Sequence, residues 1–486
     1  MKLVLFNPRS NASGKRVVPF SLLALGAVLE GRHQYAIVDA NVEPDPLGRL
    51  RAAVEGGARL VGLTAMPGPQ LAHAAEVSRF LKDAFPQVTV AWGGYFPTEH
   101  PDACLSAGYV DYVVRGHGEQ AFLSLADALE AGRRPPRLPG LAWAEHAQAP
   151  VSPVPDPEAL PPFPFHRLDL EAYVRPTFLG RRTLGYHSSY GCPFTCNFCG
   201  VVSLTGGRWK AQSAARVAAV VEAYVREWRV DAVEFYDNNF FTSEARCAEI
   251  AQRIRPHAVA WWGEGRVDTM LRFDDATWRA MRDSGLRMVF LGAESGSAET
   301  LARMDKGGTL RPQDTLDLAH LMRGYGIVPE FSFIVGNPPD PEGDTAHTLD
   351  FVRRIKQRHP ESEIILYHYT PVPLAGALLT AAEGSGFRFP QTIDEWTSGS
   401  GQRDALRRGT GLPWVRARWR QRVRDFERVL NAYYPTSTDR RLTRPRRALL
   451  RAAAAWRYHA RCYAFPLELR ALQRLFHYQR PETAGF

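Results

Sequence analysis

The chain has 486 residues, of which 45% are apolar and 23% charged, as in water-soluble proteins with more than one core. No run of eighteen apolar residues occurs and no signal peptide opens the chain, which excludes a transmembrane helix and predicts a cytoplasmic protein. Residues 401–486 carry 20 arginines, no lysine and 6 acidic residues, a balance of +14 within a net +9. The other 400 residues are therefore weakly acidic, at −5, and the basic charge belongs to the tail.

Five short apolar runs alternate with helical stretches over residues 1–148. They cover residues 2–6, 35–38, 60–64, 88–92 and 112–114, with helical periodicity over 19–29 and 70–85. This alternation predicts an α/β domain with a doubly wound, Rossmann-like parallel sheet. Ligands of such sheets bind at the carboxyl ends of the strands, where three glycine-containing loops lie at residues 66–68, 93–97 and 116–118.

Residues 149–176 form a predicted linker. Six prolines lie between positions 153 and 164, a density that excludes regular helix or strand and favours a stiff, extended segment. A domain boundary is expected here.

A second series of strands and helices occupies residues 177–390. Strand candidates lie at 183–187, 232–236, 259–262, 288–291, 328–335 and 363–367, with a helix at 214–228 after the first. Six such units predict a parallel barrel that stays open, with its chemistry at the carboxyl ends of the strands.

Three thiols follow the first of these strands, in Tyr190-Gly-Cys-Pro-Phe-Thr-Cys-Asn-Phe-Cys-Gly200. Cys192, Cys196 and Cys199 have the spacing C-x3-C-x2-C. Three thiolates are one short of a closed zinc site and suit a [4Fe–4S] cluster that keeps one iron for a non-protein ligand. A zinc site completed by His187 and a disulfide with one spare thiol are the alternatives.

The cysteine motif resembles that of the radical S-adenosylmethionine (SAM) superfamily, in which the open iron chelates SAM and the reduced cluster cleaves it to a 5′-deoxyadenosyl radical. The resemblance implies a partial (β/α)6 barrel and SAM contacts at its strand ends. It implies that Arg266 pairs bidentately with the SAM carboxylate. The segment that begins at Asp237 departs from the family's Gly-Gly-Glu form, and Lys306-Gly307 fits its Lys-Gly pattern. The expected SAM contacts are Phe198, Asp237, Asn239, Arg266, Glu294, Ser295 and Val335.

The loops of the first domain resemble those of the cobalamin-binding domain attached to many radical SAM enzymes. The D-x-H-x-x-G motif of better-known cobalamin domains is absent, as it commonly is in the radical SAM branch. A degenerate domain that has lost its cofactor is the alternative. The expected cobalamin contacts are Thr64, Met66, Gly93, Gly94, Tyr95, Gly116, His117 and Glu119.

The Arg-rich region 391–486 predicts amphipathic helices at 414–430 and 446–475. Three roles are open: they cover the barrel, bind a protein partner, or lie on anionic lipid or a lipophilic substrate as a peripheral membrane contact. Nucleic acid is not expected, because no recognisable binding module accompanies the charge.

Together the two resemblances imply a cobalamin-dependent radical SAM enzyme of the class B methyltransferase type. It would methylate an unactivated carbon, with [4Fe–4S], SAM and cobalamin as cofactors, a small-molecule substrate, and flavodoxin or ferredoxin as electron donor. The alternatives are a radical SAM oxidative cyclase or rearrangement enzyme for a tetrapyrrole-like or other natural product, and a non-catalytic iron–sulfur or cobalamin sensor. No catalytic side chain is predicted.

Overall fold

A computed structural model describes residues 1–10, 16–306, 310–399, 412–436, 438–439 and 442–476. Two parallel sheets organise the chain, one before and one after the proline-rich linker. Within the linker only two short 3-10 helices form, Phe165–Arg167 and Leu170–Tyr173, as the proline density predicts.

The first sheet has the order β2-β1-β3-β4-β5-β6, and its first five strands are parallel. The strands are β1 (Lys2–Asn7), β2 (Gln34–Asp39), β3 (Ala58–Thr64), β4 (Thr89–Gly93), β5 (Tyr112–Val114) and β6 (Leu141–Ala142). The short β6 is antiparallel and escapes the sequence pattern. Helices cover both faces: α1 (Phe20–Leu29), α2 (Pro46–Glu55), α3 (Pro69–Ala84), α4 (Tyr95–Glu99), α5 (Pro101–Leu105) and α6 (Glu119–Glu130). A 3-10 helix, Ala144–His146, follows β6.

The second sheet confirms the partial barrel, because its six strands are all parallel and lie in sequence order. They are β7 (Thr183–Tyr186), β10 (Ala232–Phe235), β11 (Ala260–Arg266), β12 (Leu286–Glu294), β13 (Val328–Val335) and β14 (Glu363–His368). The surrounding helices are α7 (Gly200–Thr205), α8 (Ala214–Trp228), α9 (Glu244–Ile254), α10 (Val267–Met270), α11 (Asp275–Asp283), α12 (Ala298–Arg303), α13 (Pro312–Tyr325), α14 (Pro341–Arg358) and α15 (Ala377–Gly384), with 3-10 helices at Phe240–Thr242 and Arg255–His257.

A small antiparallel pair, β8 (Ser189–Gly191) and β9 (Trp209–Ala211), joins the two ends of the segment that contains the cysteine loop, residues 192–199, and α7. Gly191 begins the loop with φ +80°, and a Cβ there would lie 2.1 Å from the Arg208 carbonyl oxygen. Only glycine fits this close approach. The loop therefore starts from a fixed direction.

The carboxyl-terminal helices are α16 (Ile393–Thr397), α17 (Ala417–Tyr433), α18 (Arg444–His459) and α19 (Leu467–Phe476). Val423, Phe426 and Leu430 of α17 are buried in the same apolar cluster as the barrel. Covering the barrel is therefore the role of α17. Helix α16 packs instead against the first domain, where the Trp396 ring lies 5.2 Å from that of Phe96.

No helix within the described ranges combines the length and the apolar character needed to cross a bilayer.

Candidate functional site

The cysteine loop lies at the carboxyl ends of the barrel strands. Cys196 is buried and Cys192 and Cys199 are partly open. Burial raises the pKa of the Cys196 thiol, and it raises that of Cys199 to about 11. Among the described residues no three His, Cys, Asp or Glu side chains converge as ligands of one ion. A cubane takes each thiolate to a different iron, so its three ligands stand farther apart than those of a single ion.

Arg266, at the end of β11, lies against this loop. Its Nη1 donates to the Cys196 sulfur at 3.3 Å, and its Nε and Nη2 donate to the two Asp268 oxygens at 3.0 and 2.9 Å. Nη2 also donates to the Lys306 carbonyl, and the guanidinium lies 3.6 Å from the Phe194 ring centroid. Four of its five donors are thus engaged. The predicted two-point pairing with the SAM carboxylate needs two donors, and this arrangement leaves one.

Glu294 ends β12 in a strained conformation. Its φ is +65°, in the left-handed region that costs a non-glycine residue about 1–3 kcal/mol. The strand register shifts at the same point, between Gly292 and Glu294. The buried Lys306 ammonium donates to the Glu294 carboxylate and to the Gly292 carbonyl, which holds the carboxylate in place. Gly307, which completes the Lys-Gly pattern, lies outside the described residues.

The segment after β10 holds two of the predicted contacts in different roles. The fully buried Asp237 carboxylate accepts from the Ser188 amide at 3.1 Å, the Ser188 hydroxyl at 2.8 Å and the Ser189 hydroxyl. It therefore anchors β8 beneath the cysteine loop. Asn239 instead donates to the Cys192 sulfur at 3.6 Å, while its Oδ1 is buried without a partner. The open acceptor in this corner belongs to Asn239, and it fits an ammonium donor such as that of SAM.

The remaining predicted SAM contacts lie around the same mouth. Ser295 is fully buried, and its hydroxyl is within 3.2 Å of Asp344 and 3.3 Å of Thr348. Val335 is buried at the end of β13, and Phe198 packs partly buried against the barrel core. Ser295 thus fixes the turn after β12, since its polar atoms are engaged within the protein.

A partly open cavity lies at the carboxyl ends of β3, β4 and β5, between α1 and α6. Two residues of the second domain, His187 and Tyr190, form part of its wall. Six of the eight predicted cobalamin contacts line it: Thr64, Gly93, Gly94, Gly116, His117 and Glu119. Met66 and Tyr95 do not; the first is 49% exposed, and the second packs towards Gly200 of α7.

Two polar atoms in the cavity wall lack partners of their own. Glu119 is buried and one of its carboxyl oxygens has no hydrogen-bond partner, nor does Nε2 of the partly buried His187. Burial raises the pKa of Glu119 and lowers that of His187. Burial and the neighbouring His187 lower the pKa of His117 to about 4, so its ring is neutral at physiological pH. A ligand with its own polar atoms satisfies such a wall, and a cobalamin with its amides and nucleotide tail is of this kind.

Gly94 shows why the cavity needs its glycines. Its φ is +96°, and a Cβ there would lie 2.8 Å from the Thr64 hydroxyl and 3.1 Å from the Ala65 carbonyl. The backbone can make this turn beside the cavity only without a side chain.

The cavity and the cysteine loop are neighbours across the domain interface. Tyr190, two residues before Cys192, has its ring 4.7 Å from that of His117. Helix α4 packs against α7, directly behind the loop, where a Cβ on Gly200 would lie 2.4 Å from the Tyr95 ring. The two sites therefore share one wall.

Two family models match the chain, each on one of its two sheets. Residues 11–126 match the B12 binding domain and residues 186–352 match the radical SAM superfamily. The chain is a B12-binding radical SAM protein. The predicted resemblance to cobalamin-dependent radical SAM enzymes is thereby confirmed.

The B12-binding radical SAM chain has relatives along most of its length. An uncharacterized methyltransferase of Pyrococcus horikoshii is 27% identical over 368 residues, which are 73% of this chain and 78% of the relative. The anaerobic magnesium-protoporphyrin IX monomethyl ester cyclase of a Synechocystis species is 24% identical over 389 residues, 76% of this chain and 75% of the relative. The methyltransferase TsrM of Kitasatospora setae, solved with tryptophan and aza-SAM, has a TM-score of 0.64 at 20% identity and covers 79% of this chain and 76% of its own. That last likeness shows the shared fold.

Sequence reasoning missed three groups that shape the B12-binding radical SAM site. Phe194 lies inside the cysteine motif, and its ring faces Arg266. Asp268 stands two residues after Arg266, which is a usable signal for a local ion pair. His187 entered only as a possible zinc ligand, whereas it lies in the wall of the cavity.

Proposed function

We propose that this protein is a cobalamin-dependent radical SAM C-methyltransferase. The observation that carries the proposal is the shared wall, in which Tyr190 joins the cysteine loop to the cavity through its contact with His117. A methyl donor and a radical generator must reach the same substrate carbon, so their sites must be adjacent. When bound, the cluster and SAM supply a hydrogen-abstracting radical, and cobalamin supplies the methyl group.

The residues of the chain bind and orient these groups. Cys192, Cys196 and Cys199 hold the cluster through their thiolates. Asn239 presents an unpartnered oxygen to the amino group of SAM, beside Cys192. Glu294, held by Lys306, presents a fixed carboxylate at the next strand end.

The cavity residues hold cobalamin between the two domains. Thr64, Gly93 and Gly94, at the ends of β3 and β4, would hold it together with Gly116 and Glu119, which follow β5. Apolar groups of α1 and α6 exclude water from the same space.

The substrate is a small molecule that enters between the two sites, and a lipophilic one is included in the proposal. The external reductant is a flavodoxin or ferredoxin, and the proposed location is the cytoplasm, a compartment in which the cluster thiols stay reduced.

The proposal is tested by anaerobic reconstitution with iron, sulfide and hydroxocobalamin, reduction, addition of SAM, and mass spectrometry of the products. We expect retained cobalamin, 5′-deoxyadenosine, and S-adenosylhomocysteine from methyl transfer. Cys192→Ala should abolish deoxyadenosine, whereas Cys462→Ala, at an exposed free thiol, should not. An intact reduced cluster that leaves SAM uncleaved would refute an enzyme and favour a sensor.

The proposed binding of cobalamin in the cavity is tested by a separate pair of matched variants. Gly94→Ala places a methyl group against Thr64 and should reduce cobalamin retention while the iron content stays normal. Gly108→Ala carries similar backbone strain, φ +76°, with no atom within 4 Å of the new Cβ, and should retain cobalamin. Equal retention in both variants would contradict the placement of cobalamin in this cavity.

A second reaction of the same cofactors is favoured by the Synechocystis relative, a cyclase that matches 76% of this chain. Oxidative cyclisation of a tetrapyrrole-like substrate would yield deoxyadenosine without S-adenosylhomocysteine. The ratio of these two products during turnover distinguishes methylation from cyclisation.

A further inference from the structure

Large apolar side chains are exposed mainly at one place in the molecule. Seven such residues are exposed within the described ranges, and five of them lie between positions 449 and 475. These five are Leu449, Trp456, Phe465, Leu467 and Leu475, with exposures from 51% to 70%. Scattered exposed apolar residues are ordinary, whereas a concentration of them marks an interaction site.

Helices α18 and α19 form an antiparallel hairpin. The Arg446 guanidinium, at the start of α18, lies 5.4 Å from the Phe476 ring at the end of α19. At the opposite end, Arg457 pairs with Glu468 and donates to the Ala464 carbonyl at 2.8 Å. Leu450 is buried between the helices against Leu472 and Phe476.

This register places the exposed residues on the outer face of the hairpin. Leu449 and Trp456 are seven residues apart, two helical turns, and therefore share one side of α18. Because the helices are antiparallel, Leu475 lies at the Leu449 end of the hairpin, and Leu467 lies at the Trp456 end. The exposed apolar side chains thus lie in two groups, one at each end of the hairpin, and together we call them the outer hairpin face.

Arginines are concentrated in the same hairpin. Residues 442–476 contain eight arginines and one acidic residue, Glu468, which pairs with Arg457. Arg444, Arg451 and Arg474 are exposed and make no ion pair within the described part of the chain, and the Arg451 guanidinium lies 5.3 Å from the Tyr433 ring of α17. Exposed cations around apolar side chains form the pattern of helices that lie in a lipid headgroup layer.

We propose that the outer hairpin face binds the surface of a membrane that contains anionic phospholipid. The arginines attract the negative headgroups, while Leu449, Trp456 and their neighbours enter the boundary of the acyl chains. Charge complementarity favours this occupant, because residues 442–476 carry +7 of the net charge of +9, whereas residues 1–400 are net acidic. The hairpin therefore determines which side of the protein contacts the bilayer. This proposal does not depend on the proposed enzyme activity.

The test is sedimentation of the full-length protein with vesicles of phosphatidylcholine, alone or mixed with one-third phosphatidylglycerol, at low and high salt. We expect binding to the mixed vesicles that salt reverses, and none to phosphatidylcholine alone. Replacing Arg444, Arg451 and Arg474 together by Gln should weaken binding on the order of 100-fold. The matched control replaces three exposed arginines of the other domains, Arg133, Arg137 and Arg255, by Gln and should bind as the wild type.

Insertion of the apolar side chains has a separate readout. Trp456 fluorescence should be quenched by bromine-labelled acyl chains, and that quenching should be missing in Trp456→Phe. Leu449→Ser should weaken binding without changing the circular dichroism spectrum, because its side chain is exposed. Equal loss of binding in the two arginine triples would refute a specific face. Binding without quenching, tighter binding to RNA than to lipid, or a dimer that hides Trp456 would overturn the membrane proposal.

Discussion

Glu99 makes the contact between the two domains sensitive to pH. It ends α4 and lies beside Ser203 of α7, directly behind the cysteine loop. Burial raises its pKa from 4.5 to about 7, against weaker opposing effects of Ser203 and Arg115. Because the folded pKa lies above the unfolded one, the stabilising contribution is complete below pH 4.5 and is lost as the pH rises through 7. Glu99→Gln keeps the shape of the side chain and removes the charge.

The magnitude follows from the size of the shift. A change from 4.5 to about 7 corresponds to about 3 kcal/mol between the charged and neutral forms. Glu99 is partly reached by solvent, which reduces the expected effect to about 1–2 kcal/mol. At pH 8 the Gln variant should therefore hold α4 and α7 together more firmly than the wild type, by about tenfold in the opening equilibrium.

The assay is native-state hydrogen exchange of peptides covering α4 and α7, with rates corrected for intrinsic pH dependence. We expect slower exchange in Glu99→Gln than in the wild type at pH 8, and equal exchange at a pH of about 4, below the unfolded pKa. Glu55→Gln, at an exposed position of α2, should match the wild type at both pH values. The same difference at both pH values, or none at pH 8, would refute the assigned role of burial.

Two further variants test the site from other sides. Lys306→Met leaves the Glu294 carboxylate buried without its cation, so the free energy of unfolding should fall by about 3 kcal/mol or more. Thermal unfolding under anaerobic conditions measures this change. An unchanged midpoint would show that the pair is dispensable. Gly200→Ala drives a methyl group into the Tyr95 ring and should lower both iron and cobalamin retention, whereas Gly324→Ala, with no atom near the new Cβ, should lower neither; retention of both cofactors by the first variant would contradict the shared wall.

The strand pattern was predictable because all strands of the two sheets except β6 are parallel, and helices cover them, so they appear as continuous apolar runs. The run at 328–335 matches β13 residue for residue, and the helix at 214–228 matches α8. Two residues at strand ends give another result. Asp237 and Asn239 are both polar residues after β10, and only the fold shows that Ser188 and Ser189 occupy the Asp237 carboxylate.

Long-range contacts explain the rest of what sequence could not show. The buried Glu294 carboxylate is paired with a lysine twelve positions away, and the cavity wall combines His117 with Tyr190 from beyond the linker. Neither contact produces a pattern that can be recognised in the sequence. The spacing of the three cysteines can be recognised, because the residues that would hold the cluster lie close together along the chain.

The docking of α16 on the first domain has a consequence for the order of assembly. Ile393 and Trp396 belong to the apolar core of a sheet whose first strand begins at Lys2. A growing chain therefore exposes Phe96 to solvent until the ribosome has passed position 396, long after the sheet itself is complete. The domain that is synthesised first is finished last, and a fragment that stops at the linker should aggregate through that uncovered surface.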